Sequence, residues 1–377
     1  MTDLLSFIFI GLLAFYFIFI RKIRAGITKL GYFKTQSQID EFISIVIAFR
    51  NESENILPNL KSIESQNYPT DNYEVIYVND FSTDDSLEIL SNGISKENIF
   101  VHSIAESKLE KAHKKQAIEF GISKAKGSIV LFTDSDCIVP SDWIATMVAG
   151  FEDNTAMISG PVAFADSDSL FGKLQQLEFA GLILTGAGLI GNKTPIIASS
   201  ANLAFRKSVF DEVGGYKDLM ELSSGDDELL MQKIAYNTNY EVKFCFSKDA
   251  LVTTSVNKSI EDFNQQRKRW ASKGLFYERK EIILQLISIF LFFVWILILP
   301  FLGMFLDSKY WIQFAVALFV KMIIEYAVLQ NGIGVLFKKI NIALFLLAEL
   351  LHIPYIVYSA ISGAIGNFKW KDRELKR

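Results

Sequence analysis

At 377 residues the chain has room for one large domain or two ordinary ones, and half of its residues are hydrophobic. A net charge of −4 argues against the bulk basic field of a nucleic-acid binder. Two cysteines without CxxC spacing, Cys137 and Cys245, and three scattered histidines argue against a disulfide framework, a thiolate zinc site and an imidazole metal cluster.

Leu4–Ile20 is an unbroken apolar run, just long enough to span a bilayer. A signal peptide would carry its basic residues ahead of such a run. Here Asp3 precedes it, and Arg21, Lys22, Arg24 and Lys29 follow. The reading is an uncleaved anchor over 1–24, with the N-terminus outside and the following chain cytoplasmic. Ile43–Ala48 is a β-branched strand, followed by a helical pattern through Leu60 and Ile63 with Ser53 as its cap. Glu74–Val78 is the next strand and runs into Asn79-Asp80, where Ser82 or Thr83 can cap the helix of Leu87 and Leu90. Ile99–Ser103 is a third strand, and Lys114–Ala125 a helix that Gly127 ends. Ile129–Phe132 suits a strand buried on both faces. Strand and helix thus alternate four times with polar residues at the strand ends, the signature of an open parallel sheet with a ligand crevice at its carboxyl edge.

The fourth strand ends in Asp134-Ser135-Asp136. Two carboxylates at i and i+2 are costly to desolvate. They become favourable when a cation sits between them and a phosphorylated ligand, and hard oxygen ligands suit Mg²⁺ or Mn²⁺. Taken alone, the pattern reads equally as a solvated turn.

Past Pro140 a short helix, Ser141–Gly150, precedes a strand over Ala156–Val162. Leu170–Leu189 is apolar, with its polar residues confined to the first half. It reads as an interfacial helix on the membrane (170–190) or as a helix over the sheet. Ser223-Ser224-Gly225 leads into Asp226-Asp227-Glu228, three acids where helix capping needs one. Val242–Phe246 and Leu251–Thr253 look like strands, and Ser259–Trp270 like a helix ending in a cationic cluster. Ile282–Phe305, Tyr310–Leu329 and Ile340–Ile361 are three further spans, in a bundle over 280–365. They carry Lys321 with Glu325 and Glu349 with His352, read first as helix–helix glue and second as contacts for an acceptor head group. Four spans send the C-terminus outside. Yet Lys338-Lys339 and the basic tail 366–377 both prefer the inside, and a re-entrant segment at Pro354 is one resolution.

The ordered motifs IAFRNE (47–52), VNDFSTDDS (78–86), KKQA (114–117), TDSD (133–136), SSANLAFRK (199–207), GDDELL (225–230) and QQRKRW (265–270) resemble glycosyltransferase family 2. Members are inverting nucleotide-sugar transferases with a GT-A fold, and the likeness covers roughly Ile43 to Trp270. It implies an α/β GT-A domain over 40–275, a mixed, mostly parallel sheet flanked by helices, with one N-terminal and three C-terminal transmembrane helices. The layout is similar to membrane polysaccharide synthases and lipid glycosyltransferases.

By this resemblance Glu52 and Asp80 contact the uracil and ribose end of a UDP-sugar, and Lys114 approaches the nucleotide or its phosphates. Asp134 and Asp136 hold Mg²⁺ or Mn²⁺, with Asp136 the direct ligand. Asp227 is the base, Glu228 being an alternative match, and Gln266, Arg269 and Trp270 lie beside acceptor and diphosphate. Asp226 stands where the family has Glu, and Glu119 where Asn is common. Displacement at an anomeric carbon with inversion needs one base on the acceptor hydroxyl, opposite the leaving group. The implied activity is sugar transfer to a membrane-associated lipid or a growing polysaccharide. A processive polysaccharide synthase coupled to export is the alternative, and a transporter with a nucleotide-sensing domain a remote one. The expected location is the bacterial inner (plasma) membrane with the catalytic domain cytoplasmic, and nucleic acid is not an expected partner.

Overall fold

The computed structural model describes residues 2–31, 41–105, 112–222, 225–365, 368–370 and 373–375. Helix α1 (Thr2–Ile27) opens the chain. It is followed by β1 (Ile43–Phe49), α2 (Ile56–Glu64), β2 (Tyr73–Asp80), α3 (Ser86–Gly93), β3 (Ile99–Ile104), α4 (His113–Lys124) and β4 (Ile129–Phe132). These strands pair in parallel in the order β3-β2-β1-β4. β2 and β4 are buried throughout and β1 nearly so, which is why their apolar runs do not alternate. Gly121 lets α4 lie close on the sheet, since a Cβ there would come within 2.5 Å of Val46.

The helix starts differ from those expected. α2 begins after Asn55 and α3 after Asp85, neither with a side-chain cap. Ser53, Ser82 and Thr83 serve instead to stitch the loops beyond β1 and β2 together. The Ser53 N–H donates to Asp84 (3.1 Å), the Ser82 N–H to Asn79 (2.9 Å) and the Thr83 N–H to Asn51 (2.8 Å).

Beyond β4 come β5 (Cys137–Ile138), α5 (Trp143–Val148), β6 (Thr155–Ser159), β7 (Val162–Phe164), α6 (Leu170–Gly191), β8 (Leu203–Arg206), α7 (Lys207–Glu212), α8 (Glu228–Asn237), β9 (Glu241–Phe244) and β10 (Val252–Thr254). β8 runs antiparallel between β4 and β6, and β9 is parallel to β6, giving a seven-stranded sheet in the order β3-β2-β1-β4-β8-β6-β9. The open parallel sheet read from the sequence therefore holds for four strands, and the remainder is mixed. The single strand expected over Ala156–Val162 is two. Gly160 and Pro161 separate them, gripped by the Asn202 side chain, and β7 leaves to join β10 and β5 in a three-stranded sheet.

The chain continues through α9 (Ile260–Ala271), α10 (Lys280–Phe305), α11 (Lys309–Leu329), α12 (Ile342–Ile365) and a hairpin of β11 (Phe368–Trp370) with β12 (Arg373–Leu375). Residues 366–367, 371–372 and 376–377 of the basic tail, residue 40 at the expected domain start, and Ser223-Ser224 lie outside the described residues.

Five helices, α1, α6, α10, α11 and α12, are long and apolar enough to cross a membrane, one more than the four spans expected. The addition is α6, which covers Leu170–Leu189. It packs on β7 and β9 of the domain, as the helix-over-the-sheet reading expects, and also on α1, α11 and α12. Its polar first half is spent on the domain, where Gln175 accepts from the Asn257 N–H at 3.0 Å and Glu178 pairs with Arg267. Its second half meets α1 backbone to backbone at Gly26, Gly188 and Gly191, and a Cβ on Gly188 would strike the Ile23 carbonyl. In the bundle Tyr16 of α1 stacks on Phe292 of α10 at 4.2 Å and donates to Glu325 of α11. Lys321 lies 3.0 Å from Glu325 and contacts Glu349, and His352 is 3.7 Å from Glu325. The two pairs read separately from the sequence are one cluster joining α1, α11 and α12.

Candidate active site

A cavity of about 1110 Å³ opens at the carboxyl ends of β1, β2 and β4. Parallel strands deliver their C-terminal loops to one edge, so residues scattered over the sequence converge there. Glu52, Asp80, Lys114, Asp134, Asp136, Asp227, Gln266, Arg269 and Trp270 all line it. Glu119 does not. Glu52, buried, accepts from the Asn55 amide at 2.7 Å, and Asp80 is the last residue of β2.

At the first turn of α4, Lys114 joins three elements. Its ammonium is 2.7 Å from Asp134, 2.7 Å from the Ser200 hydroxyl and 3.1 Å from Asp226. Burial works to lower Lys114, but Asp134 and then Asp226 outweigh it and hold it charged, above the ordinary lysine range. Burial likewise works to raise Asp226, and Lys114 and Lys115 overcome it, keeping that carboxyl below the usual range. Lys115, pushed down to about 8 chiefly by burial, donates to the carbonyls of Leu219 (3.0 Å) and Leu222 (2.5 Å), just before the acidic run.

Asp227 caps α8. It accepts the N–H of Glu228 at 2.7 Å and that of Ser200 at 3.2 Å, and Lys273 approaches to 3.4 Å. Asp227 lines the cavity and keeps a small exposed share of its side chain, whereas Glu228 is buried with Lys273 at 3.1 Å and the Tyr277 hydroxyl donating to it. Burial pushes Glu228 up to about 7, with Lys273 opposing and Asp227 adding. Sequence reasoning left out Asp226, Ser200 and Lys273 as site residues. Asp226 and Ser200 lay inside quoted motifs, but Lys273, three residues past Trp270, carried no signal.

The arginines of α9 divide. Arg267 is buried and makes a two-pronged pair with Glu178, with the Trp270 ring 4.2 Å away. Arg269 is half-buried on the cavity wall and makes no ion pair or side-chain hydrogen bond among the described residues. The Gln266 carbonyl accepts from Asn257 at 3.0 Å and from Arg267, and Trp270 stacks on Phe179 of α6 at 5.7 Å.

Donor atoms of Asp134, Asp136 and Cys137 lie within 4.8 Å of one another. Cys137 is buried and burial raises its thiol, so the donors available to a hard cation are the two carboxylates. The cavity is thus lined by two carboxylates whose oxygens could hold a hard cation, by the Asp227 carboxylate, and by a guanidinium with no ion-pair partner among the described residues.

Residues 44–214 match the model of the family described as Glycosyl transferase family 2. A poly-beta-1,6-N-acetyl-D-glucosamine synthase of Staphylococcus epidermidis is 29% identical over 69% of this chain and 60% of its own. Glycosyltransferase AglE of Haloferax volcanii is 27% identical over 54% of this chain and 64% of its own. A hyaluronan synthase of Streptococcus pyogenes is 23% identical over 65% of this chain and 59% of its own. The chain thus spans about six tenths of the length of these curated relatives. Among solved structures, the mannosyltransferase PcManGT from Pyrobaculum calidifontis, in complex with GDP-Man and Mn²⁺, matches with a TM-score of 0.61 at 16% identity, over 96% of this chain and 97% of that one. At that identity the likeness speaks for the fold.

Proposed function

We propose that the chain moves a sugar, with inversion, from a nucleotide-diphosphate sugar to a membrane-associated acceptor; the match of residues 44–214 to the glycosyltransferase family 2 model and the GT-A fold support this reading. The observation that carries this is a single cavity that joins the Asp134/Asp136 pair to Asp227 and Arg269 and runs on to the apolar helices. Glu52 and Asp80 face the nucleoside, a uridine by resemblance. Asp134 and Asp136 would hold Mg²⁺ or Mn²⁺, which would supply positive charge to the diphosphate. Asp227 takes the proton of the acceptor hydroxyl as its oxygen bonds to the anomeric carbon and the bond to the diphosphate breaks. Its side chain is 13% exposed, against 5% for the partly neutral Glu228, and this favours Asp227 for the role. Arg269 meets the charge that develops on the departing diphosphate.

The contacts also support one arrangement in the membrane. α6 leaves the domain after β7 and re-enters it at β8, so both its ends are on the domain side. α12 starts beside the end of α11, where Phe345 meets Tyr326, and finishes against α9, where Gly363 abuts Ala271. This leaves α1, α10 and α11 as crossings, with α6 and α12 lying at the interface. Three crossings put Lys338-Lys339 and the basic tail on the same side as Arg21, Lys22 and Arg24, which answers the charge conflict that four spans created. The side is the cytoplasmic one by the positive-inside rule, and a bacterial inner membrane fits.

Purified full-length protein given Mg²⁺ or Mn²⁺ should release nucleoside diphosphate from a panel of UDP- and GDP-sugars. Asp227→Asn should slow transfer by about 10²–10⁴, the range for a lost general base. Undiminished turnover in both Asp136→Asn and Asp227→Asn would sink the assignment.

A further inference from the structure

We propose that the acceptor is a lipid whose hydrocarbon tail lies in a slot between α10 and α12, with its head group presented to Asp227. This rests on the transferase reading above and names the acceptor class for the same site.

The cavity does not end at its polar residues. It continues along Leu286 and Phe290 of α10 and along Ile356, Ala360 and Ala364 of α12. The α12 wall includes the small residues Ser359, Ala360 and Ala364, which leave room beside them for a chain of methylenes between the two helices. Gly363 packs on Ala271, so the floor of the slot is fixed to α9, the helix that carries Arg269. The slot opens sideways. Ile287 on one rim is 42% exposed and Ile361 on the other 46%, and both line the cavity. Exposed apolar side chains on helices of membrane length face lipid, so this mouth faces the bilayer rather than water.

A growing polysaccharide would need a different feature, a hydrated passage between crossing helices. The space between α1, α10 and α11 is filled by Tyr16, Phe292 and Phe293, and Lys321 with its carboxylate partners closes it beside α12. A chain of sugars leaving Asp227 has no route there. An amphiphile does, because its tail stays in the bilayer while its head reaches the base. Both a diacylglycerol and a polyprenyl phosphate carry an oxygen nucleophile on long hydrocarbon: the first a hydroxyl whose proton passes to Asp227 as the glycosidic bond forms, the second an already ionised phosphate oxygen that attacks without giving up a proton.

The test uses full-length protein in phosphatidylglycerol nanodiscs with either of two probes, a polyprenyl phosphate or a diacylglycerol, each bearing a diazirine in its tail. After irradiation, labelled residues are mapped by mass spectrometry. One probe should label Leu286, Phe290, Ile356 and Ala360 about tenfold over Phe7 and Ile10, lipid-facing residues of α1, and the probe that does so identifies the head group. Ala360→Trp should remove the excess. Labelling of the slot no greater than that of Phe7 and Ile10 with both probes, in the unaltered protein, overturns the proposal without requiring any variant to fold. With a donor that is turned over, an organic-soluble product carrying one sugar is expected, and a ladder of water-soluble chains made in lipid-free detergent overturns it. If no donor is turned over, the transferase reading fails, and the labelling pattern still decides the slot.

Discussion

The two arginines of QQRKRW differ in burial and partners more than in spacing. Arg267 is buried against Glu178, so Glu178→Ala would strand a desolvated guanidinium and cost about 3–5 kcal/mol. Arg269 has no ion-pair or side-chain hydrogen-bond partner to lose among the described residues. Arg269→Ala should leave the melting midpoint close to that of the parent while slowing transfer by about 10²–10³, as for removal of one preorganised donor. Thermal melts and diphosphate release measured on both variants check this division; a stability loss confined to Arg269→Ala would reverse it. Glu228 supplies a pH dependence. Its folded value of about 7 lies above the ordinary glutamate value of about 4.3, so the folded state holds a proton that the unfolded chain has released. Stability therefore falls as pH rises from about 4.3 to about 7, by on the order of 3 kcal/mol. Melts of the parent and of Glu228→Gln between pH 5 and 7.5 should diverge, the variant showing the flatter curve; parallel curves would remove Glu228 as the cause.

Among the elements, α6 has the most demanding packing. Gly188→Val would drive a branched side chain into the Ile23 carbonyl, and overpacking of this kind costs about 1–3 kcal/mol. Detergent-solubilised Gly188→Val should melt lower than the parent, while Gly181→Val, whose Cβ would meet nothing within 4 Å, should not. Equal melting of the two would mean that α1 and α6 do not touch there. The same helix marks the limit of what the residue pattern disclosed. β1, β2 and β4 were legible because buried parallel strands need unbroken apolar runs, and the acids at their ends because chain direction alone delivers them to one edge. Asp134, Asp136 and Asp227 were legible through motif order. Lys273 was not, because its meaning arises only when α9 turns its end toward the cap of α8. Nor was the antiparallel β8, since a four-residue apolar strand carries no mark of its direction. α6 read ambiguously because a helix that packs on a sheet and on lipid-facing helices at once needs apolar residues all round.

For the whole molecule, the three-crossing arrangement can be read by labelling. Cys137 and Cys245 are buried, so background is low. Ser308→Cys, between α10 and α11, should react with an impermeant maleimide added outside sealed cells, and Lys338→Cys only after lysis. Reaction of both from outside would refute three crossings. The glycine contact of α1 with α6 has a further consequence for how the protein can be handled. Cutting the chain at residue 40 to free a catalytic fragment would strip the α6 backbone at Gly188 and Gly191 of its partner. Such a fragment would aggregate or keep its detergent. Sequence boundaries divide the chain into anchor, catalyst and bundle, but α6 packs on elements of all three.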